Sequence, residues 1–233
     1  MKISREKGKR AERQWRDEFR AHGYTARRGQ QFSGSPNSPD VVCDDLPLYH
    51  FEVKHVEHLN LSAAMAQSRR DAGGPTASAG NRGKIPIVAH RKNYWPWLVT
   101  MDAERFYRLL QRDLTGEWAT RMAAEFSPAQ ACGEVDWLRC ATAGKRINIH
   151  ELMRVTRRAA DKRVPVVAHR DRDGRWLVTI TAVDFFKFLR GDLPNLDSLA
   201  PARSALNGPP PAADSFRRLP SDSNLRGVLP PAK

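Results

Sequence analysis

An internal repeat constrains the fold of this chain more than any other feature of its sequence. The segment IPIVAHR at position 85 returns as VPVVAHR at position 164, and WLVTM at 97 returns as WLVTI at 176. The segment AERFYRLLQRDL at 103 returns as AVDFFKFLRGDL at 182, and LNLSAAMAQSRR at 59 aligns with INIHELMRVTRR at 147. Four blocks in the same order are more than chance produces, so the sequence predicts a duplicated helix, strand, strand, helix unit.

The region before the first repeat copy predicts one helix and several short strands. Residues 4 to 21 predict a helix with a mostly basic polar face, which Ser4 caps and Gly23 ends. Its inward positions, at helical spacing, are Ala11, Trp15, Glu18 and Phe19. The alternating runs YTARR, PDVVC and LYHFEVKH, separated by turn residues, predict a meander of strands. With further helices over about 62 to 71 and 102 to 113, the pattern predicts an α/β protein.

We expect three parts along the chain: a first module over residues 1–118, a degenerate repeat module over 119–193, and a tail over 194–233. The tail is rich in proline, serine and alanine and has few large apolar residues, so it is predicted to be disordered. No apolar run is long enough to cross a bilayer, and the N-terminus lacks the apolar segment of a secretory signal. A cytoplasmic protein without a membrane partner is therefore expected.

The charge balance predicts an anionic partner. Lysine and arginine number 39 against 26 acids, a net charge of +13 and a pI near 10.2. Such a field attracts polyanions, and arginine forms bidentate contacts with phosphate. Nucleic acid is the favoured partner, while a merely soluble basic surface is the alternative.

The stretch SPDVVCDDLPLYHFEVKH places charges inside a strand-forming pattern. On a strand, Glu52 and Lys54 project to one face, and the turn DDLP can bring Asp40 beside Glu52. Two carboxylates at adjoining strands make a hard oxygen site suited to Mg²⁺ or Mn²⁺, and an ammonium beside them can position a water molecule. This combination favours hydrolysis of a phosphodiester.

These residues, together with KGKRAERQW and GYTARRGQQFSGSPNSPDVV, resemble the PD-(D/E)XK nuclease superfamily. Within it the chain is most similar to the archaeal-type Holliday junction resolvases and their phage relatives, over roughly residues 5 to 90. The resemblance implies a mixed central sheet flanked by helices, and Mg²⁺-dependent cleavage of branched DNA, such as four-way junctions, in recombination or repair. It also implies a bacterial or phage-infected cell.

The resemblance and the basic segments together give three sets of candidate residues. The candidate catalytic residues are Glu12, Asp40, Glu52, Lys54 and Gln67. The candidate metal ligands are Asp40, Glu52 and the carbonyl of Val53. The candidate DNA-binding residues are Lys7, Lys9, Arg10, Arg27, Arg28 and Ser33, with Ser35 an equally placed rival of Ser33.

Plainer interpretations stay open for some of these residues. Glu12 can simply pair with Arg16 one turn along its helix, and Gln67 can be an ordinary surface residue. The histidines near the charged strand match no zinc motif and are taken as structural or phosphate-side: they are His50, His55 and His58. Another repair, replication or restriction nuclease of the same superfamily, or a non-catalytic DNA-binding protein, remains the alternative function.

The second copy is predicted to lack the chemistry of the first. Carrying the register of the helix blocks upstream places Glu52 opposite Cys140 and Lys54 opposite Thr142, so the charged strand is not kept and catalysis belongs to the first half. Gln67 falls opposite Val155. Residues present in both copies are interpreted as structural: His90 with His169, and Trp97 with Trp176. The resemblance implies a symmetric dimer, so a homodimer and an intrachain pseudo-dimer are both expected alternatives.

Overall fold

The computed structural model describes residues 2–29, 39–73, 81–111, 127–128, 130, 138–142 and 148–193. Residues Met1–Ser198 form one compact unit, and the second unit, Leu199–Lys233, lies outside the described residues. The predicted tail, Ser33, Ser35 and the predicted module boundary at residue 118 also lie outside them.

The described residues form five helices and eight strands with the following bounds. The helices are α1 (Lys2–Ala21), α2 (Leu61–Gly73), α3 (Ala103–Gln111), α4 (Ile149–Ala159) and α5 (Ala182–Arg190). The strands are β1 (Ala26–Arg28), β2 (Val41–Cys43), β3 (Tyr49–His55), β4 (Ile85–Arg91), β5 (Leu98–Asp102), β6 (Leu138–Thr142), β7 (Val164–Arg170) and β8 (Trp176–Thr181). The predicted cap at Ser4 is wrong, because α1 already begins at Lys2.

The eight strands form one mixed sheet in the order β1-β2-β3-β4-β5-β8-β7-β6. β1, β2 and β3 pair antiparallel, which confirms the predicted meander. β3 runs parallel to β4, as β6 does to β7, and the remaining pairs are antiparallel. The α/β class and the mixed sheet are thus confirmed, and both predicted modules contribute to that sheet.

The two repeat copies meet at a local two-fold axis. In the antiparallel pairing of β5 with β8, Thr100 lies opposite Thr179, which is its own counterpart in the repeat. The Thr100 and Thr179 hydroxyl oxygens are 2.7 Å apart, and the Nε2 atom of buried His90 lies 2.9 Å from the Thr100 hydroxyl. Exchange of the two copies leaves this register unchanged, so the junction has the geometry of a symmetric dimer within one chain.

Helices cover both faces of the sheet. On one face, α2 and α4 share a buried cluster with the central strands that includes Met65 and Met153. On the other face, aromatic rings of α1, β3 and α5 pack together: Phe19 lies 5.2 Å from Phe186, and Phe51 lies 6.3 Å from Phe185. A helix of the second copy therefore completes the core of the first.

The second copy keeps the strand that was predicted to be lost. β6 runs parallel to β7 as β3 does to β4, so the strand is present and the acid corresponding to Glu52 is not. The predicted alignment is also wrong by one residue: the pairing places Ala141 at the position of Glu52, and Cys140 at the position of Phe51. The cause is the connection to the following helix, which is one residue shorter in the second copy.

Candidate functional site

The two predicted acids meet where β2 stops pairing with β3. Val41 lies opposite Phe51, and the Asp40 amide donates to the Phe51 carbonyl at 3.1 Å. The chain then turns away, and the Asp40 carboxylate accepts a 2.8 Å hydrogen bond from the amide of Val53. The side chain of Asp40 thus caps the strand edge next to Glu52, as the sequence predicted.

Both carboxyl groups hold protons more tightly than free acids do. Burial, followed by the charge of Glu52, raises the pKa of Asp40 to about 7, against the opposing effect of the Val53 amide. Burial also raises the pKa of Glu52, although the Lys54 ammonium acts in the opposite direction. Ionising both acids at once is unfavourable, because they are buried and close to each other. A cation bound between them would stabilise their charged forms.

Lys54 and Gln67 extend the site onto α2. The Lys54 ammonium lies 2.5 Å from Glu52 Oε1 and donates to Gln67 Oε1 at 3.2 Å. Gln67 is therefore a part-buried hydrogen-bond partner of Lys54 and not an ordinary surface residue. Its counterpart Val155 is half exposed and apolar.

Glu12 reaches the same acids from α1. The alternative in which Glu12 pairs with Arg16 is wrong, because Arg16 pairs with Asp17. Glu12 instead forms a 2.7 Å ion pair with Arg28 of β1. The charge of Glu12 also contributes to the raised pKa values of both Asp40 and Glu52. Glu12 is thus close enough for its charge to act on both acids.

Sequence reasoning missed Asp71, a buried acid of α2. Its charge raises the pKa of Glu52, so it lies on the same side of the site. The available signal was its spacing: Asp71 follows Gln67 by four residues, one helical turn, and so shares its face. His50 precedes Glu52 by two residues on β3 and is fully buried, which favours the structural interpretation of this histidine.

The acid pair suits a hard dication. No group of three or more His, Cys, Asp or Glu side chains that could hold a metal occurs within the described part of the chain. Mg²⁺, however, commonly binds to one or two protein carboxylates and takes its other oxygens from water and substrate. Asp40 and Glu52 offer such a pair, with raised pKa values that a cation would reverse. A role for the Val53 carbonyl stays a prediction.

The predicted DNA-binding residues lie on two elements. On α1, Lys7 and Arg10 are exposed, and Lys9 makes a 3.4 Å contact with Glu6. On β1, Arg27 makes a 3.6 Å contact with Asp44, and Arg28 is engaged by Glu12. Ser33 lies outside the described residues.

None of the helices in the described part of the chain has the length and apolar character needed to traverse a bilayer. Neither a family model nor a curated protein nor a solved structure matches this sequence. The case for a function therefore depends on the geometry of the site.

Proposed function

We propose that this chain is a metal-dependent DNA endonuclease of the PD-(D/E)XK type that hydrolyses phosphodiester bonds, with branched DNA as its substrate. One observation carries the proposal. Residues far apart in the sequence converge on one strand edge: Asp40 before β2, Glu52 and Lys54 on β3, and Gln67 on α2. These are the residue types, in the chain order, of the motif that the sequence resembles. The preference for branched DNA comes from that resemblance alone.

Each group has a defined part in such a reaction. Asp40 and Glu52 would hold Mg²⁺ or Mn²⁺, which when bound supplies charge neutralisation at the phosphate and an acidified water. Lys54 has three ammonium donors, two of which are directed to Glu52 and Gln67. The third is available to orient the attacking water or a phosphate oxygen. Glu12 would assist from α1, where Arg28 holds its carboxylate.

The burial of the acids favours an enzyme over a DNA-binding protein that lacks catalysis. Glu52 is 4% exposed, and its pKa is raised by burial. Burying carboxylates costs free energy, and negative charge repels phosphate. A pure binder gains nothing from this arrangement, whereas a metal-dependent enzyme requires it.

The test is a cleavage assay with purified full-length chain on a synthetic four-way junction, a linear duplex and a single strand. We expect cleavage in Mg²⁺ and none in EDTA. Glu52→Gln should lower the rate by more than about a hundredfold, because it removes one ligand and the anchor of Lys54. DNA affinity should stay equal or increase, since a negative charge is lost.

Asp173→Asn is the matched control, because it removes an exposed acid of the second half and should leave the rate unchanged. Comparable cleavage by the Glu52 variant and the wild-type protein would exclude this site. Absence of cleavage of all three substrates by the wild-type protein would exclude the proposed function.

A further inference from the structure

The junction of the two copies contains a cavity that the candidate site does not use. We call it the Arg91 cavity. Its volume is about 450 Å³, and it lies where β4 ends and where β8 leads into α5. The cationic residues that line it are Arg91 from the first copy and Arg157, Lys162, Arg163 and Lys187 from the second. Both copies therefore build it, and the second supplies most of its positive charge.

The two-fold axis relates this cavity to another at the opposite end of β5 and β8. That second cavity, of about 760 Å³, contains Arg69, the repeat counterpart of Arg157. Arg69 is held by Asp102 and Asp171. The repeat counterparts of these two acids are Thr181, which lines the Arg91 cavity, and Lys92. Arg157 accordingly has no ion pair with any acid in the described residues, so its charge is available to a ligand.

Unsatisfied donors in the same cavity also indicate a missing acceptor. The guanidinium of Arg91 lies over the ring of Trp97, 5.4 Å from its centroid. The Nε atoms of both side chains, Arg91 Nε and Trp97 Nε1, are buried and lack a hydrogen-bond partner among the described residues. Buried donors without partners destabilise a protein. An anionic oxygen placed beside Arg91 would relieve that cost.

The acids of the cavity do not cancel its charge. Three acids line it against five basic residues: Glu18, Asp161 and Asp184. Asp184 is engaged by the Thr181 hydroxyl and by Lys187. Burial raises the pKa of Glu18, which favours its neutral form, although Arg91 opposes this.

The cavity and the candidate nuclease site are connected through β3. Arg91 lies directly opposite His55, the residue after Lys54, in the β3–β4 pairing. At about 3.3 Å per strand residue, His55 is roughly 10 Å along β3 from Glu52. α1, which carries the exposed cations Lys7 and Arg10, packs on β3. Basic groups are thus present on both sides of this end of the sheet.

We propose that the Arg91 cavity binds the phosphate backbone of the nucleic acid, so that the second copy serves as a substrate-binding half. The proposal rests on the proposed function for the identity of the substrate. Phosphate oxygens would accept from Arg91 and Arg157, and Arg163 and Lys162 would follow the strand beyond them. A duplex rises about 3.4 Å per base pair, so the separation of Arg91 and Glu52 along the sheet corresponds to the rise of about three base pairs.

The test measures binding of the full chain to fluorescent duplex and four-way junction by anisotropy in EDTA, over a range of salt concentrations. The variant Arg157→Ala with Arg163→Ala removes two exposed cations of the cavity. Its affinity should fall, and the slope of log affinity against log salt should become shallower by roughly 1.8, about 0.9 for each lost phosphate contact. Lys162→Glu should weaken binding in the same direction. In Mg²⁺ the double variant should raise KM and leave kcat near that of the wild-type protein.

The matched control is Arg139→Ala with Arg172→Ala, which removes two exposed arginines of the same half outside the cavity. Equal salt slopes for the two double variants would overturn the cavity proposal. Because binding is measured in EDTA, its outcome is independent of cleavage. If binding depends on the cavity but no DNA is cleaved, the nuclease proposal is wrong and the cavity proposal stands. If DNA is cleaved but binding does not depend on the cavity, the cavity proposal is wrong and the nuclease proposal stands.

Discussion

The two halves of the sheet have the same arrangement of helices and strands, but only the first half carries the candidate site residues. In each half a strand runs parallel to its neighbour, a helix covers one face, and a hairpin leads to a second helix. α1, β1 and β2 belong to the first half, and the described residues of the second contain no counterparts of them. The acids Glu12 and Asp40 come from this addition. The comparison indicates that both halves share the packing of the repeated unit, whereas two of the candidate acids lie on elements found, among the described residues, only in the first half.

Equivalent positions show the same division. Glu52 corresponds to Ala141 by strand pairing. On the covering helices, Gln67 corresponds to Val155 and Asp71 to Ala159. Each polar group of the site is thus replaced by a small or apolar residue in the second half. By contrast, His90 and His169 are buried in both halves, which favours the structural interpretation of this pair.

Removing the second half should have the largest structural effect. A chain that ends after residue 114 loses β8 and α5, and so uncovers the edge of β5 and the rings of Phe19 and Phe51. Because the β5–β8 register is two-fold symmetric, β5 can pair with β5 of another copy, with Thr100 opposite Thr100. We expect light scattering to show dimers or aggregates of the shortened chain. The full chain should not associate through this edge, because β8 covers it.

Thr100→Lys in the shortened chain is the control, since a charge on the axis should block edge pairing and leave only aggregation through the exposed rings. A shortened chain that stays monomeric and soluble, and cuts DNA at the full-length rate, would show that the second half is an independent appendage.

Breaking the ion pairs between the halves should have the next largest effect. Arg69 of the first half binds Asp102 and also Asp171 of the second half, whose side chain is 2% exposed. Arg69→Met leaves these carboxylates without their partner and should lower the free energy of unfolding by about 3 kcal/mol in urea denaturation. Arg157→Met, at the equivalent position without acid partners, should change it by less than about 0.5 kcal/mol. Equal decreases in the free energy of unfolding in the two variants would contradict the claim that Arg69 has acid partners and Arg157 has none among the described residues.

The smallest expected effect is a pH dependence that belongs to the first half. The pKa of Asp40 is raised from 3.8 to about 7, so the folded chain keeps a proton that the unfolded chain loses. In EDTA, the free energy of unfolding should therefore fall as pH rises between these values, and then level off. Urea midpoints of wild-type protein and Asp40→Asn would measure this. An identical pH dependence in both would show that another group is responsible.

Local patterns were enough to predict most elements and the main site. Spacing of apolar residues identified the buried positions Ala11, Trp15 and Phe19 of α1. The ExK pattern with the preceding aspartate brought together Asp40, Glu52 and Lys54. The one-residue error at Cys140 arose because alignment was carried across a loop, and loops absorb length changes without altering the elements that they join. The partner of Glu12 was missed because Arg28 is distant in sequence and reaches it only through the fold. For the same reason the symmetric pairing of β5 with β8 could not be derived from either strand alone.

The pairing of β5 with β8 has a consequence for synthesis of the chain. Thr179 is translated about 80 residues after Thr100, its partner across the axis. At roughly 5–20 residues per second, β5 waits on the order of 4–16 s on the ribosome before its neighbour is made. During that interval its open edge has the register to pair with β5 of another nascent chain on the same message. We therefore expect the yield of folded protein to depend on ribosome spacing and on chaperones that shield this strand.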